Sequence, residues 1–527
     1  MKKLLAGFLF ALLLTVTGLL GACAPEVQPA VSPAAVTDLE IRKPNLYSVE
    51  LAWTSPGDTN GAYAPWYYDV RYAEAPLTEE SWERYAQADV TIFPNAAGTQ
   101  EVLQVNALET GKSYCFAVRA VGTDGAVSGI SNLVTATTGS PGVPDEVTVY
   151  SMEELQAAVD SAPATGRVIT VAKGTYQQEE RVMIENKDNI TIQGETDDPK
   201  DTVLIGRGIN DEGQYMNMKV ISSTYITVKN LTLRDSYYHA IQIAFSAHYF
   251  RAENLICWDN GESGFKINAL SDYGVIENCH IGFTTHGMRE VIEGIDGIGA
   301  RGWLVRGNVI ENIIQREANI DLNVMSNYED WIGFGIFFKA NSIDCVLENN
   351  VLINCDVALS FGGSGSGSGF YRYGDETYET RGGVMRNNVV IGTRRRAGIY
   401  VNSAKDFEIY NNTIYDDCET GSVSFYSMEK NQNCLPSRDG KIYNNILRYG
   451  VEDGDPRYVV MESVDRQSNL VPDNAADLFV NLAGGDFHLK PGSAASGAGM
   501  NLWPAVTEDM DGKPRTEDGA YSIGAYE

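Results

Sequence analysis

Basic residues are scarce in this chain. Its 527 residues include 40 Lys and Arg against 70 Asp and Glu, which gives a formal net charge of −30. Nucleic-acid binding depends on stripes of positive charge, so this balance excludes that class of partner. It also disfavours acidic polysaccharides unless calcium or a local basic patch reverses the field. A hydrophobic content of 43% is typical of a folded protein, and the length predicts two or three domains.

Cysteine is also sparse, and no two cysteines have the spacing of a metal site. The chain has eight cysteines and no Cys-x-x-Cys pair. This pattern excludes a zinc site built from cysteine pairs and a dense disulfide framework. Cys257 and Cys279 are predicted to be small buried thiols. Cys418 and Cys434 bracket an excursion of the chain and are the candidates for a disulfide in an oxidising compartment.

The N-terminus has the layout of an export signal. Two lysines precede an apolar run from Leu4 to Leu20. The run ends in the letters LGAC, closing at Cys23, and this ending resembles the lipobox of bacterial lipoproteins. The resemblance implies removal of residues 1–22, lipidation of Cys23, a membrane anchor and a place in the cell envelope outside the cytoplasm. Residues 23–36 are rich in Pro and Ala, which is typical of an extended tether.

Eight asparagines recur through the C-terminal three quarters of the chain, in similar phrases such as ITVKNLTL and EIYNNTIY. Some intervals are 24 residues, and the others are 24 plus an insertion. A fixed period with alternating apolar residues on both sides indicates a solenoid. We expect each Asn at a tight bend, with a left-handed backbone and its amide hydrogen-bonded to the same Asn one coil away. The eight are Asn230, Asn254, Asn278, Asn308, Asn350, Asn388, Asn412 and Asn445.

Residues 37–138 contain short alternating strands separated by turn signals, for example SVELAWTS and YCFAVRAV. Leu108 precedes Tyr114 by six residues, and the segment closes in SGISNLVTATT. In both features it resembles a fibronectin type III domain. The resemblance implies a β-sandwich that acts as a spacer or a binding module, with Trp53, Tyr68 and Tyr114 in its core and no catalytic role.

A linker at 139–146 leads into residues 147–527, which begin with an amphipathic helix. Ser151 and Glu154 make a capping box, and the strand ITVAKGTYQ follows the helix. This pair of elements resembles the N-terminal cap of pectate-lyase-like right-handed parallel β-helices, and the tail from DFHLKPG onward resembles their closing segment. The predicted fold class is all-β, a right-handed parallel β-helix solenoid preceded by a small fibronectin type III-like β-sandwich. We expect a monomer.

The insertions in the repeat predict loops around one face of the solenoid. The strand that contains Gly264-Phe265-Lys266-Ile267 and its equivalents is preceded by extra residues in the middle coils and followed by them in later coils. Walls at both edges of one sheet predict a groove. Alternation places Lys266 next to Asp296 in the outward column, at the strand spacing of about 4.8 Å. The column is Gln242, Lys266, Asp296, Phe337, Ser360, Tyr400 and Ser424.

The candidate site residues lie along this groove. Pectate-lyase-like β-helices often degrade uronate polysaccharides by β-elimination, which needs a base, commonly Lys or Arg, and a cation that neutralises the uronate carboxylate. Sugar binding also uses aromatic rings. The catalytic candidates are Lys266, His286, Arg289, Asp296 and Lys339, the candidate Ca²⁺ ligands are Glu290, Glu293, Asp296 and Asp321, and the substrate-binding rings are Trp331, Phe337, Tyr371, Tyr373 and Tyr400.

The sequence leaves three functions open. The first is a uronate polysaccharide lyase or epimerase, although no complete lyase motif is present and Asp296 raises the pKa of Lys266 unless calcium occupies that carboxylate. The second is hydrolysis by paired carboxylates, Glu293 with Asp296 or Asp321. The third is a surface module that binds glycans without catalysis. A Lys–Asp pair on adjacent strands is also an ordinary ion pair, and exposed positions of this kind change stability by about 1 kcal/mol or less.

Overall fold

Strands account for almost all of the regular structure in the computed structural model. Among the residues it describes, no helix is long and apolar enough to cross a membrane. Three successive parts follow one another along the chain: a β-sandwich, a coil of parallel strands and a C-terminal tail. The described residues are 33–527 except 58–63, 66, 89–93, 123–124, 141, 212, 214, 285–291, 315–331, 364–370, 373–376, 394–396, 417–420 and 426–432.

The first domain is a sandwich of two antiparallel sheets. Leu51 and Trp53 lie on the same face of one strand and pack against Tyr68 and Phe116 of the opposite sheet. Trp53, Tyr68 and Tyr114 are all buried, as predicted. The sheets are β1-β2-β5 and β4-β3-β6-β7, formed by β1 (Glu40–Pro44), β2 (Val49–Thr54), β3 (Tyr67–Ala73), β4 (Ala86–Gln87), β5 (Gln100–Val105), β6 (Ser113–Val121) and β7 (Val134–Thr137), with a 3-10 helix at Glu79–Arg84.

The second domain is a parallel β-helix in which each full coil adds one strand to each of three long sheets. We name them sheets A, B and C. Sheet A contains β11 (Val182–Glu185), β14 (Met216–Ile221), β17 (His239–Ala244), β20 (Ser263–Ile267), β23 (Glu293–Ile298), β26 (Phe334–Lys339), β30 (Val357–Phe361), β34 (Ile399–Val401) and β38 (Val423–Phe425).

Sheets B and C complete each coil. Sheet B contains β10 (Gly174–Gln177), β13 (Thr202–Ile205), β16 (Thr232–Arg234), β19 (Ile256–Trp258), β22 (His280–Gly282), β25 (Val309–Glu311), β29 (Val351–Ile353), β33 (Val389–Ile391), β37 (Thr413–Tyr415) and β40 (Ile446–Leu447). Sheet C contains β8 (Asp145–Val149), β9 (Arg167–Val171), β12 (Asp188–Gly194), β15 (Thr224–Lys229), β18 (Arg251–Glu253), β21 (Val275–Glu277), β24 (Leu304–Arg306), β28 (Val346–Glu348), β32 (Val384–Arg386), β36 (Glu408–Tyr410), β39 (Lys441–Tyr443) and β41 (Asp465–Gln467). A three-stranded sheet joins β27 (Ser342–Ile343), β31 (Thr380–Arg381) and β35 (Ala404–Lys405).

Small residues are required where sheet A meets sheet B inside the coil. A Cβ atom on Gly264 would lie 2.5 Å from Ile281 Cγ2, and one on Gly398 would lie 2.2 Å from Ile414 Cγ2. Both distances are well inside van der Waals contact, so any larger residue would push the sheets apart. This close approach is the physical reason for the glycine that recurs before the core residue of the sheet A strands.

The recurring asparagines form two neighbouring columns, where the sequence predicts one. Asn230, Asn254 and Asn278 have left-handed backbones, with φ of 59°, 52° and 53°. In later coils the repeated Asn lies one position further along, and the preceding residue, Gly307 in the first of these coils, takes the left-handed position. The predicted amide ladder is present in part of the first column, where Asn254 Nδ2 donates to Asn230 Oδ1 at 2.9 Å, and is longer in the second. In the second column it runs through Asn308, Asn350, Asn388, Asn412, Asn445 and Asn469.

Both ends of the coil are covered. Helix α1 (Met152–Asp160) caps the first coil, and Ser151 Oγ accepts a hydrogen bond from Glu154 N at 3.2 Å, which confirms the capping box. The strand β8 begins at Asp145, so the end of the predicted linker already belongs to sheet C. The tail adds the antiparallel pair β42 (Phe479–Asn481) and β43 (Asp486–Leu489) and packs on the last coils. Short 3-10 helices in this region are Met461–Ser463, Ala475–Asp477 and Leu482–Gly484.

The sandwich packs directly against the side of the coil. Tyr47 N and Ser48 Oγ each donate to Asp188 Oδ2 at 3.1 Å, and Asn106 Nδ2 donates to Ser246 O at 3.0 Å. Burial raises the pKa of Asp188. Hydrogen bonds to a buried carboxyl hold the two domains in one arrangement, so the sandwich is not a freely moving spacer.

Candidate active site

The outward column of sheet A matches the sequence prediction. Strand pairing places Gln242 beside Lys266, Lys266 beside Asp296 and Asp296 beside Phe337. The column continues through Ser360, Tyr400 and Ser424 in register. It also extends one coil earlier, to Lys219 on β14, which the sequence analysis did not include.

A compact charged cluster lies at the centre of this column. Lys266 Nζ binds Asp296 Oδ2 directly, and Lys339 Nζ lies 3.6 Å from Asp296 Oδ1. Glu262 Oε1 lies 4.0 Å from Lys266 Nζ. The side chains of Lys266 and Lys339 retain 15% and 11% exposure, whereas the side chain of Asp296 is 0% exposed. Two lysine side chains that retain a small exposed fraction therefore lie against one buried carboxylate.

The three central groups have shifted pKa values. Burial disfavours the charged form of Lys266, but the negative charges of Asp296, Glu293 and Glu262 together outweigh it, so the pKa of Lys266 is raised. Burial opposes ionisation of Asp296, but the charges of Lys266 and Lys339 and the hydrogen bond from Lys266 together lower its pKa. Burial, followed by the charge of Asp296, raises the pKa of Glu293 well above the usual range, although Lys266 and Lys339 act in the opposite direction. The cluster therefore favours the ionised form of Asp296 and the protonated form of Glu293.

A histidine lies next to the cluster on the same face. His239 Nδ1 is 2.8 Å from Ser263 Oγ, and Ser263 pairs with Glu293 in the sheet. Complete burial lowers the pKa of His239 to about 3, so this ring is neutral at neutral pH. This agrees with a structural role for His239.

The predicted stacking rings are buried. Phe337 and Tyr400 are 2% and 1% exposed and pack with Phe334 in one apolar cluster. Tyr371 is 4% exposed, and its hydroxyl bonds to Glu379 beneath the loop. The prediction of an open aromatic surface at these three positions is therefore wrong, because neighbouring side chains already cover the rings. Phe337 still contacts the cluster, since Lys339 Nζ lies 4.3 Å from its ring centroid.

The loop after β30 is anchored by a buried ion pair. Arg372, with a fully buried side chain, binds Asp272 and donates from Nε to Gly299 O at 3.0 Å. Glu379 Oε2 accepts from Ala340 N at 2.7 Å. These contacts fix the described part of the predicted wall beside β26.

Several predicted residues fall outside the described part of the chain. Among the described residues, no group of three or more His, Cys, Asp or Glu side chains is arranged to hold a metal ion. The two described calcium candidates do not fit such a site, since two lysines lie against Asp296 and burial disfavours the charged form of Glu293. The predicted residues outside the description are Cys23, His286, Arg289, Glu290, Asp321, Trp331 and Tyr373, together with Cys418 of the proposed disulfide.

Comparison with known proteins identifies the first domain. Residues 34–137 match the family model of the fibronectin type III domain, so this segment is such a domain. The sequence prediction placed it at 37–138. A search of curated proteins found no match to the chain.

Solved structures resemble the β-helix at low identity. Pectate lyase Pel9A is 13% identical, with a TM-score of 0.42, and the match covers 73% of this chain and 97% of that protein. The alginate lyase of Paenibacillus sp. str. FPU-7 is 17% identical, with a TM-score of 0.36 and coverage of 52% and 95%. The A-module of the Azotobacter vinelandii mannuronan C-5 epimerase AlgE4 is 13% identical, with a TM-score of 0.35 and coverage of 62% and 93%. At these identities the likeness concerns the fold alone.

Proposed function

We propose that this chain is an enzyme that acts on uronate polysaccharides, as a lyase or a C5 epimerase, at the outward face of sheet A. The observation that carries the proposal is the convergence of Lys266 and Lys339 on the buried carboxylate of Asp296. Both lysine side chains are partly exposed and the side chain of Asp296 is not. A substrate on this face meets the lysines before the aspartate, and the carboxylate of a uronate is the matching group.

The two lysines have different roles in this proposal. Elimination and epimerisation both begin with removal of the proton at C5, next to the uronate carboxylate. Lys266 is held charged by Asp296, so it neutralises that carboxylate. Lys339, whose ammonium group lies farther from Asp296, first gives a proton to water and then acts as the base. In elimination the Lys339 amine takes the C5 proton, and the electron pair of the broken C5–H bond forms the C4=C5 double bond. The C4–O4 bond breaks, and O4 takes a proton from water.

Hydrolysis is a second way to use the same cluster. The raised pKa of Glu293 beside the lowered pKa of Asp296 is the pattern of an acid and carboxylate pair. However, Glu293 is 2% exposed and Asp296 is fully buried, so neither carboxyl reaches a sugar on this face. This burial favours chemistry by the lysines. Glycan binding without catalysis would use the same cations, and an activity assay separates it from the enzyme.

The first experiment measures ultraviolet absorbance of the unsaturated uronate product. Purified residues 24–527 are incubated with polygalacturonate and with alginate, in calcium and in chelator. We expect absorbance to rise with one substrate and to persist in chelator, because the described carboxylates do not fit calcium. Loss in chelator would indicate calcium on groups outside the described residues. If absorbance does not rise, exchange of the C5 proton with solvent, measured by proton NMR, would indicate epimerisation. Release of reducing sugar would indicate hydrolysis. If neither is seen, the protein binds the polysaccharide without catalysis.

We also propose that the protein is anchored in the cell envelope through a lipid on Cys23. The LGAC ending of the apolar run supports this proposal. Cys23→Ser is expected to move the protein from the detergent-soluble membrane fraction to the aqueous fraction of the expressing bacterium, because the lipid supplies the membrane affinity. Fractionation with incorporation of labelled palmitate measures both effects. A Cys23→Ser protein that stays in the membrane would contradict the anchor, and Cys434→Ser is the matched control.

A further inference from the structure

Two basic side chains lie near each other on β-helix coils, and no described acid is paired with either. Arg181 Nη1 is 3.9 Å from Met216 Sδ, and the charge of Arg181 acts on Lys219, three residues after Met216 on β14. Neither Arg181 nor Lys219 has an ion-pair partner among the residues that the structure describes, and the acidic charge that acts on Lys219 is that of Glu185. In a chain with 70 acidic residues, two neighbouring cations without a described ion-pair partner indicate a site for an external anion.

An exposed aromatic ring lies at the start of the same strand. Tyr215 immediately precedes β14, next in sequence to the Met216 that Arg181 contacts, and is 41% exposed. Its ring stacks on that of Tyr238 in the next coil, with centroids 5.6 Å apart and planes within 10°. Tyr238 O in turn accepts from Glu262 N at 2.7 Å, and Glu262 is the residue that reaches Lys266. The backbone of Tyr238 is therefore bonded to Glu262, and Glu262 connects the coil of the ring pair to the charged cluster.

We propose that Tyr215, Arg181 and Lys219 form a subsite for one acidic sugar of the polysaccharide, at the N-terminal end of the sheet A face. The ring offers a surface on which a sugar can stack, and the two cations meet its carboxylate. Lys219 and Lys266 occupy the same outward column with Gln242 between them, which separates the subsite from the cluster by roughly 10 Å, or two strand spacings. The polymer then runs along the coil axis, across the strands.

This inference rests on the proposed function, since it assumes an acidic polysaccharide on sheet A. The experiment is therefore a binding measurement that needs no turnover. Isothermal titration calorimetry with oligogalacturonate and oligoalginate is run on the wild type, Tyr215→Ala and Lys219→Met. Tyr225→Ala is the matched control, because Tyr225 lies on the same coil in sheet C and is 39% exposed.

We expect Tyr215→Ala and Lys219→Met each to weaken binding about tenfold, as for loss of one stacking ring or one charged contact. Lys219→Met is also expected to make binding less sensitive to salt, and Tyr225→Ala is expected to bind as the wild type does. Wild-type affinity in both Tyr215→Ala and Lys219→Met would overturn the subsite alone. A wild type that binds neither acidic oligosaccharide would overturn the proposed function as well. Melting curves of the variants confirm that each is folded.

Discussion

Lys339→Met is expected to slow formation of the unsaturated product by about 100-fold or more, which is the usual effect of removing a general base. Methionine keeps most of the volume beside Phe337 but cannot accept the C5 proton. Lys266→Met is expected to act differently, by raising KM, because this lysine binds the carboxylate in the ground state as well as in the transition state. Steady-state kinetics on the polymer found to be a substrate measures both parameters.

The matched control for both variants is Lys441→Met. Lys441 pairs with Glu408 on adjacent strands of sheet C, with 2.8 Å between Nζ and Oε1, so it reproduces a lysine ion pair away from sheet A. We expect wild-type kinetics in this control. Full turnover in Lys339→Met would contradict its role as the base and would direct attention to Arg289, which lies outside the described residues.

Asp296 holds both lysines, so its replacement should affect activity and stability together. The expectation from the sequence, a stability change of about 1 kcal/mol or less, assumed an exposed position. The side chain is fully buried instead, and Asp296→Asn leaves the ammonium group of Lys266 without its partner. We therefore expect a loss of about 3 kcal/mol, as for a broken buried ion pair.

Periodicity predicts most of the architecture because it follows directly from the packing. Core residues must recur once per coil and alternate with outward residues, so the strands of sheet A and the order Lys266, Asp296, Phe337 could be read from the sequence. The same reasoning predicted one column of asparagines where the structure has two, because Asn suits both a left-handed backbone and an amide ladder. Asn278 lies in the first column, with a left-handed backbone, and Asn308 lies in the second, with its amide bonded to Asn350.

The candidate site was less predictable than the fold. Whether an outward ring is open depends on what packs above it, and the sequence does not contain that information for Phe337 or Tyr400. Lys219 was missed because β14 has Asn217 at the position where the later sheet A strands have glycine, alanine or serine. Asp296 pairs with Phe337 on the adjacent strand, and Lys339 lies two residues after Phe337. Neither alternation nor strand register alone therefore predicts that Lys339 reaches Asp296.

Asn388→Ala is expected to destabilise the β-helix by about 3 kcal/mol, because three buried polar groups each lose a hydrogen-bond partner, at about 1–3 kcal/mol each. Asn388 Oδ1 accepts from the backbone N and the Nδ2 of Asn350, both at 3.0 Å, and Asn388 Nδ2 donates to Leu347 O at 2.8 Å. No water reaches these groups in place of the amide, since Asn388 and Asn350 are both 0% exposed. Urea unfolding followed by circular dichroism measures the change.

Asn278→Gly tests the other column and is the matched control. Asn278 is exposed and left-handed, and its backbone N donates to Arg306 O, a bond that glycine retains. The next coil already has Gly307 at this position. Because glycine adopts a positive φ without strain, we expect a change of about 1 kcal/mol or less. Hydrogen exchange at the Asn350 amide should accelerate in Asn388→Ala and not in Asn278→Gly, since a solenoid opens locally. Equal protection in both variants would mean that the amide ladder does not stabilise the coil.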